Sequence, residues 1–103
     1  MKNKLLQIIS FYGLSNQLKY IHSEYFELDE AILDYNNAGW DFSDEDCKDI
    51  ENSYKEHIAE ELADVEMMLD QFKAYYGIEQ EKINKIKNFK IERQLERIDK
   101  END

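Results

Sequence analysis

Four carboxylates carry the spacing that chemistry would need: Glu24 with Glu27, and Glu61 with Asp64. Each pair is three residues apart. On a helix that is one turn, so each pair can aim two carboxylates at one point. Hard oxygen donors grouped in this way suit Mg²⁺, which takes its ligands octahedrally and keeps some waters. A cation so held binds phosphates and activates a water. With 24 acids in 103 residues, such pairs also arise by chance, as Glu56/Glu60 and Glu60/Asp64 do. The stronger signal is position. At 100° per residue, Glu24 and Glu27 flank the Leu18–Tyr25–Ile32 stripe, and Glu61 and Asp64 take the same-handed flank of the Ile58–Val65–Phe72 stripe. Ala31 shares the column of Glu24, and Met68 that of Glu61. The acids therefore border apolar surface. If the two helices pack antiparallel, all four meet at the seam. Unpaired they would repel strongly there, and a divalent cation resolves the conflict.

The elements that must position these groups are helices. The chain has no proline and three glycines, Gly13, Gly39 and Gly77, so helix breakers are scarce. A short helix is expected over about residues 3 to 12. Ser15 or Asn16 then caps a second helix, or the helix continues through Gly13 with a kink. The second helix runs from Leu14 to Tyr35, its stripe being Leu14, Leu18, Ile21, Tyr25, Leu28, Ile32 and Tyr35, and Asn36, Asn37 and Gly39 end it. An acidic insert follows at about 40 to 52, a solvated loop or a loosely held helix start, with Ser43 or Asp44 as a possible cap. A third helix starts near Asp44 or Ser53 and ends at Tyr76, capped by Gly77. Its stripe is Ile58, Leu62, Val65, Leu69, Phe72 and Tyr76. A last helix spans about Glu79 to Lys100 and frays beyond it. The expected fold is all-α, an antiparallel bundle of three to four helices in one domain of residues 1 to 103, completed by oligomerisation because so short a chain buries a modest core.

Composition narrows the function classes. The net charge is −11, from 13 Lys plus Arg against 24 Asp plus Glu. That argues against coating nucleic acid through phosphate contacts. It fits a cation-collecting site, a plain acidic surface, or an acidic mimic of DNA. Such a mimic wants its acids fully exposed, and the quartet borders core stripes instead. One cysteine, Cys47, leaves no internal disulfide. No apolar run approaches membrane-spanning length, and Leu5 to Ile9, broken by Gln7, is too short for a signal sequence, so the expected location is cytoplasmic. His22 and His57 form no zinc set or triad with Cys47 or the serines.

The segments Tyr12-Gly13-Leu14-Ser15-Asn16-Gln17-Leu18, Glu24-Tyr25-Phe26-Glu27-Leu28 and Glu60-Glu61-Leu62-Ala63-Asp64-Val65 resemble the MazG-like branch of the all-α nucleoside triphosphate pyrophosphohydrolases. That family pairs Glu-x-x-Glu with Glu-x-x-Asp on two helices. The run from Glu60 to Asp70 followed by Tyr75-Tyr76-Gly77-Ile78 looks like its small phage-type members. The resemblance covers about Tyr12 to Ile98, apart from the acidic insert. It implies Mg²⁺, with Mn²⁺ as a substitute, on the four acids as metal-binding and catalytic residues. It implies cleavage of an NTP or dNTP between the α and β phosphates, giving the monophosphate and pyrophosphate, in a homodimer or homotetramer.

Ser23 stands where the family often has a further Glu, and the gap between the acid pairs is long. The first departure keeps alive a second reading, a helical metal-binding or interaction protein of the same fold with weak or no activity. A triphosphate also needs cations. Lys87, Lys90, Arg93 and Arg97 are candidates, look similar to late Lys/Arg positions of the family, and serve equally as a solvated helix end; Lys90 and Arg93, three apart, could clamp phosphate. Gln17, on the column of Glu24, is placed to contact substrate. Asn84 and Asn88 are weaker candidates, and Trp40, Tyr75 and Tyr76 could stack a base, although aromatics on helices more often belong to the core.

Overall fold

The computed structural model describes residues 2–38 and 47–102. These form four helices: α1 (Lys2–Tyr12), α2 (Leu14–Ala38), α3 (Lys48–Tyr76) and α4 (Gln80–Asn102). No strand occurs among the described residues. Among the described residues the all-α expectation therefore holds, and no helix there is long and apolar enough to cross a membrane.

The joints follow from local chemistry. Gly13, at φ +91°, is the single residue between α1 and α2. Its N–H donates to the Ile9 carbonyl at 2.8 Å and its carbonyl accepts from Gln17 N at 3.1 Å, so hydrogen bonding hardly lapses. Ser15 and Asn16 are thus inside α2 and cap nothing. Asn16 Nδ2 instead donates to the Tyr12 carbonyl at 2.8 Å, closing the end of α1. At the other turn Gly77 adopts the left-handed conformation (φ 66°, ψ 32°). Its N–H reaches Ala74 O at 3.3 Å and that of Ile78 reaches Lys73 O at 2.9 Å, the paired bonds of a Schellman cap.

Two boundaries shift from expectation. α2 runs through Asn36 and Asn37 to Ala38. α3 begins at Lys48, so the last part of the supposed acidic insert is helix, and Ser53 is not its start. Asp49 and Glu51 in its first turn face the positive end of the helix dipole. Gly39, Trp40, Ser43 and Asp44 lie outside the described residues.

α2 and α3 form an antiparallel hairpin. Gln17 pairs with Gln71 at one end, and Tyr35 Oη donates to Glu51 Oε1 at 2.9 Å at the other. α1 packs on α3 and less on α2. The core is small: Ile9, Ile21, Ala31, Val65 and Met68 are its buried apolar residues.

The buried face of the hairpin is rotated from the expected stripes. On α2 the buried residues are Gln17, Ile21, Glu24 and Ala31, while Leu18, Tyr25 and Ile32 are exposed. On α3 Val65, Met68 and Gln71 are buried, while Leu62, Leu69 and Tyr76 are exposed. The exposed apolar residues sit about 100° round from the buried column on both helices. In an antiparallel pair that common offset puts them on one side. The hairpin thus carries two apolar faces, one packed within the chain and one open.

α4 leaves this body. Ile83, in its first turn, is half-buried, and residues 84–101 are exposed. Ile86, Phe89, Leu95 and Ile98 are exposed, and α4 makes no substantial packing with the other described helices. The radius of gyration is 18.1 Å, where a closed domain of this length has about 13 Å.

Candidate metal centre

Glu24 and Glu27 on α2 meet Glu61 and Asp64 on α3. One carboxylate oxygen from each lies within 4.8 Å of the others. The spacing of three in each pair and the antiparallel packing suffice to bring them together. Their environments differ. Glu24 is buried at 6 % exposure, Glu61 and Asp64 are half-buried, and Glu27 faces solvent. Glu24 Oε2 and Glu61 Oε2 are buried with no hydrogen-bond partner.

The electrostatics are those of crowded anions. Burial, then the charge of Glu27, raises the Glu24 pKa above its ordinary value, and a hydrogen bond from the Tyr20 hydroxyl partly opposes this. Burial, then the charges of Glu27 and Asp64, raises Glu61, partly offset by His57. Tyr20 is raised in turn, chiefly by its hydrogen bond to Glu24 and by the charge on that carboxylate. A divalent cation fits these donors. They are hard oxygens from four side chains, two of them buried without any protein partner.

The chain matches no protein-family model, no curated protein and no solved structure.

The other expected site residues divide into two groups. Gln17 stands two turns along α2 from Glu24, buried at 6 % exposure, with Nε2 donating to Gln71 Oε1 at 2.8 Å. Lys87, Lys90, Arg93 and Arg97 are not brought to the four acids within one chain, because α4 departs from the hairpin. Lys87 lines the crook between α3 and α4, and the Arg93 guanidinium lies 5.7 Å over the Phe89 ring. Asn84 Oδ1 accepts from Gln80 Nε2 at 2.8 Å on the same helix. Tyr75 and Tyr76 pack edge to face on each other at the end of α3. They stand eleven and twelve residues past Asp64, about 17 Å along the axis from the quartet. His57 approaches Glu60 at 3.9 Å on the exposed side of α3.

Tyr20 and Gln71 escaped the sequence reading. A signal for Gln71 was present: it stands seven residues after Asp64, as Gln17 stands seven before Glu24. An antiparallel pairing that joins the acids must also join the two amides.

Proposed function

We propose that this protein is a Mg²⁺-dependent nucleotide pyrophosphohydrolase of the MazG-like kind. It adds water to the α-phosphorus of an NTP or dNTP and breaks the bond to the bridging oxygen, so that pyrophosphate leaves with the electron pair and the monophosphate remains. The observation that carries the reading is the pair of buried, unpartnered oxygens, Glu24 Oε2 and Glu61 Oε2, in a ring of four acids. Carboxylates in that state are costly without a counter-charge. Glu24, Glu27, Glu61 and Asp64 would hold the cation. When bound, Mg²⁺ (or Mn²⁺) supplies phosphate neutralisation and an activated water. The chain itself supplies rigidity. The donors sit on two long packed helices, with Glu24 held by Tyr20. A pyrophosphate-release assay across common nucleotides with Mg²⁺ tests the proposal, and silence across the panel with both metals ends it.

The active unit is a second copy bound to the first. The accessible surface is 8383 Å². A folded monomer of this mass exposes about 6,100 Å². The roughly 2,250 Å² excess per chain is what two copies would cover in an obligate dimer, whose interfaces run about 2,000–5,000 Å² in total. Leu18, Tyr25, Leu62 and Leu69 on the open face, and the apolar side of α4, are the surface available. α4 holds seven of the chain's 13 Lys and Arg against five acids, so it is complementary to the acidic remainder of another copy. Lys87, Lys90 and Arg93 reach phosphate, in this account, from such a partner. The chain would then act as a homodimer or a dimer of dimers.

The inactive reading has one observation in its favour. Within one chain no Lys or Arg stands among the leading electrostatic influences on Glu24 and Glu61, and Ser23 gives no further acid. Metal binding without turnover by the assembled protein would favour it.

A further inference from the structure

Beside the quartet is a cavity of about 390 Å³. Its walls are Ile8 and Tyr12 of α1, Gln17 and Tyr20 of α2, and Met67 and Gln71 of α3. Tyr20 belongs to both places, since its hydroxyl is bonded to Glu24. Gln17 and Gln71 each stand seven residues along the helix from a quartet acid, about 10 Å on the axis. That is the span of a nucleoside from its α-phosphate to the far edge of its base.

The two amides are buried, Gln17 at 6 % and Gln71 at 1 % exposure. Their orientation is set by Met68 beneath them. Its thioether sulfur lies 4.0 Å from Gln17 Nε2 and 3.7 Å from Gln71 Nε2. A thioether accepts and cannot donate, so the amide nitrogens belong on its side. Gln17 Nε2 also donates to Gln71 Oε1 at 2.8 Å, which gives that oxygen a partner. Gln17 Oε1 is then the acceptor left without a partner among the described residues. Around it are aromatic and aliphatic walls suited to a flat ring.

We propose that this cavity is a nucleobase pocket that selects bases bearing an exocyclic amino group, cytosine N4 or adenine N6, through Gln17 Oε1. The inference rests on the nucleotide reading of the quartet. A base with a carbonyl at that position sets acceptor against acceptor. Its own oxygen then faces the Gln17 oxygen with no hydrogen between them, whereas an amino group donates to it, the kind of contrast by which hydrogen-bonding sites discriminate. Gln71 is a positioning residue, holding the Gln17 amide in the sense that leaves its oxygen free.

The test uses pairs that differ only in amino against carbonyl: dCTP with dUTP, and dATP with dITP. The wild-type protein is assayed for kcat/KM with Mg²⁺. Binding of dCMP and dUMP is measured by calorimetry, which reads base choice without turnover. The expected result is a preference of at least about tenfold for the amino member. Gln17→Leu should bring the ratio towards one by slowing dCTP, with Mg²⁺ binding retained. Gln71→Met should reduce the ratio less, because Gln17 keeps its oxygen. Turnover with equal or carbonyl-favouring kcat/KM overturns the pocket and leaves the hydrolase standing. Preferential dCMP binding without turnover does the reverse. Neither turnover nor binding ends both.

Discussion

Replacing Glu24 by Gln should stabilise the protein without metal and abolish its response to Mg²⁺. The carboxylate is buried, one oxygen has no partner, and three other acids present oxygens within 4.8 Å. Two unit charges at that distance repel by about 3.5 kcal/mol at an effective dielectric of 20. This is an upper bound for each pair. Glu27 is exposed and Glu61 and Asp64 are half-buried, so solvent screens them. A raised pKa also lets Glu24 escape by taking up a proton. The relief on neutralisation is then about 1–2 kcal/mol at pH 8. For a domain of this size that raises Tm by about 5–12 °C. The assay is thermal unfolding at pH 8 in chelator, then with saturating Mg²⁺. Wild type should gain stability with Mg²⁺, by about 2.7 kcal/mol at a hundred times Kd, and Glu24→Gln should not. A variant that melts several degrees lower in chelator, or still responds fully to Mg²⁺, refutes the reasoning.

The same acids set a pH dependence. Glu24 and Glu61 have folded-state pKa values raised above the ordinary 4.5, so the folded state holds more protons than the unfolded one in that window. Metal-free stability should therefore fall as pH rises from about 4.5 through the raised values and then level off, with Mg²⁺ reversing the loss; a Tm that climbs across that interval in chelator would contradict it. At the α3 cap, Gly77→Ala should cost about 1–2 kcal/mol in chemical denaturation, purely from forcing a side chain into φ +66°, since nothing lies within 4 Å of the new Cβ. Leu62→Lys on the open face should leave helicity intact by circular dichroism and convert the assembly to monomer in sedimentation; an unchanged assembly would remove this face from the interface.

Much of the fold was readable because helix signals are local. The scarcity of breakers, Gly77 and the charged last helix placed the elements to within a few residues, apart from the start of α3. That start carries no side-chain cap, only Cys47 at the N-cap position, so the sequence offered little to mark it. The convergence of the acids was also legible, because a spacing of three and a shared flank are geometric facts of two helices. What the periodicity could not reveal was which apolar side packs within the chain. Leu18, Tyr25, Leu62 and Leu69 are as apolar as a core stripe must be, yet the chain's own packing uses the neighbouring column with Gln17, Glu24, Met68 and Gln71. An apolar pattern does not say which of two neighbouring apolar columns the chain's own packing uses. The α4 cations stand away from the acids within one chain for a related reason, since sequence order does not say that the helix leaves the body. Gln71 was hidden because a buried amide looks like a surface one until its partner across the hairpin is known.

The central claim is tested most directly by pyrophosphate release from a panel of NTPs and dNTPs at pH 8 with Mg²⁺ and then Mn²⁺. The account predicts monophosphate and pyrophosphate in equal amounts for at least one nucleotide, no reaction in chelator, and a loss of at least about a hundredfold in Glu61→Gln and Asp64→Asn with helicity unchanged. No pyrophosphate from any nucleotide with either metal, or full activity in Asp64→Asn, would contradict it.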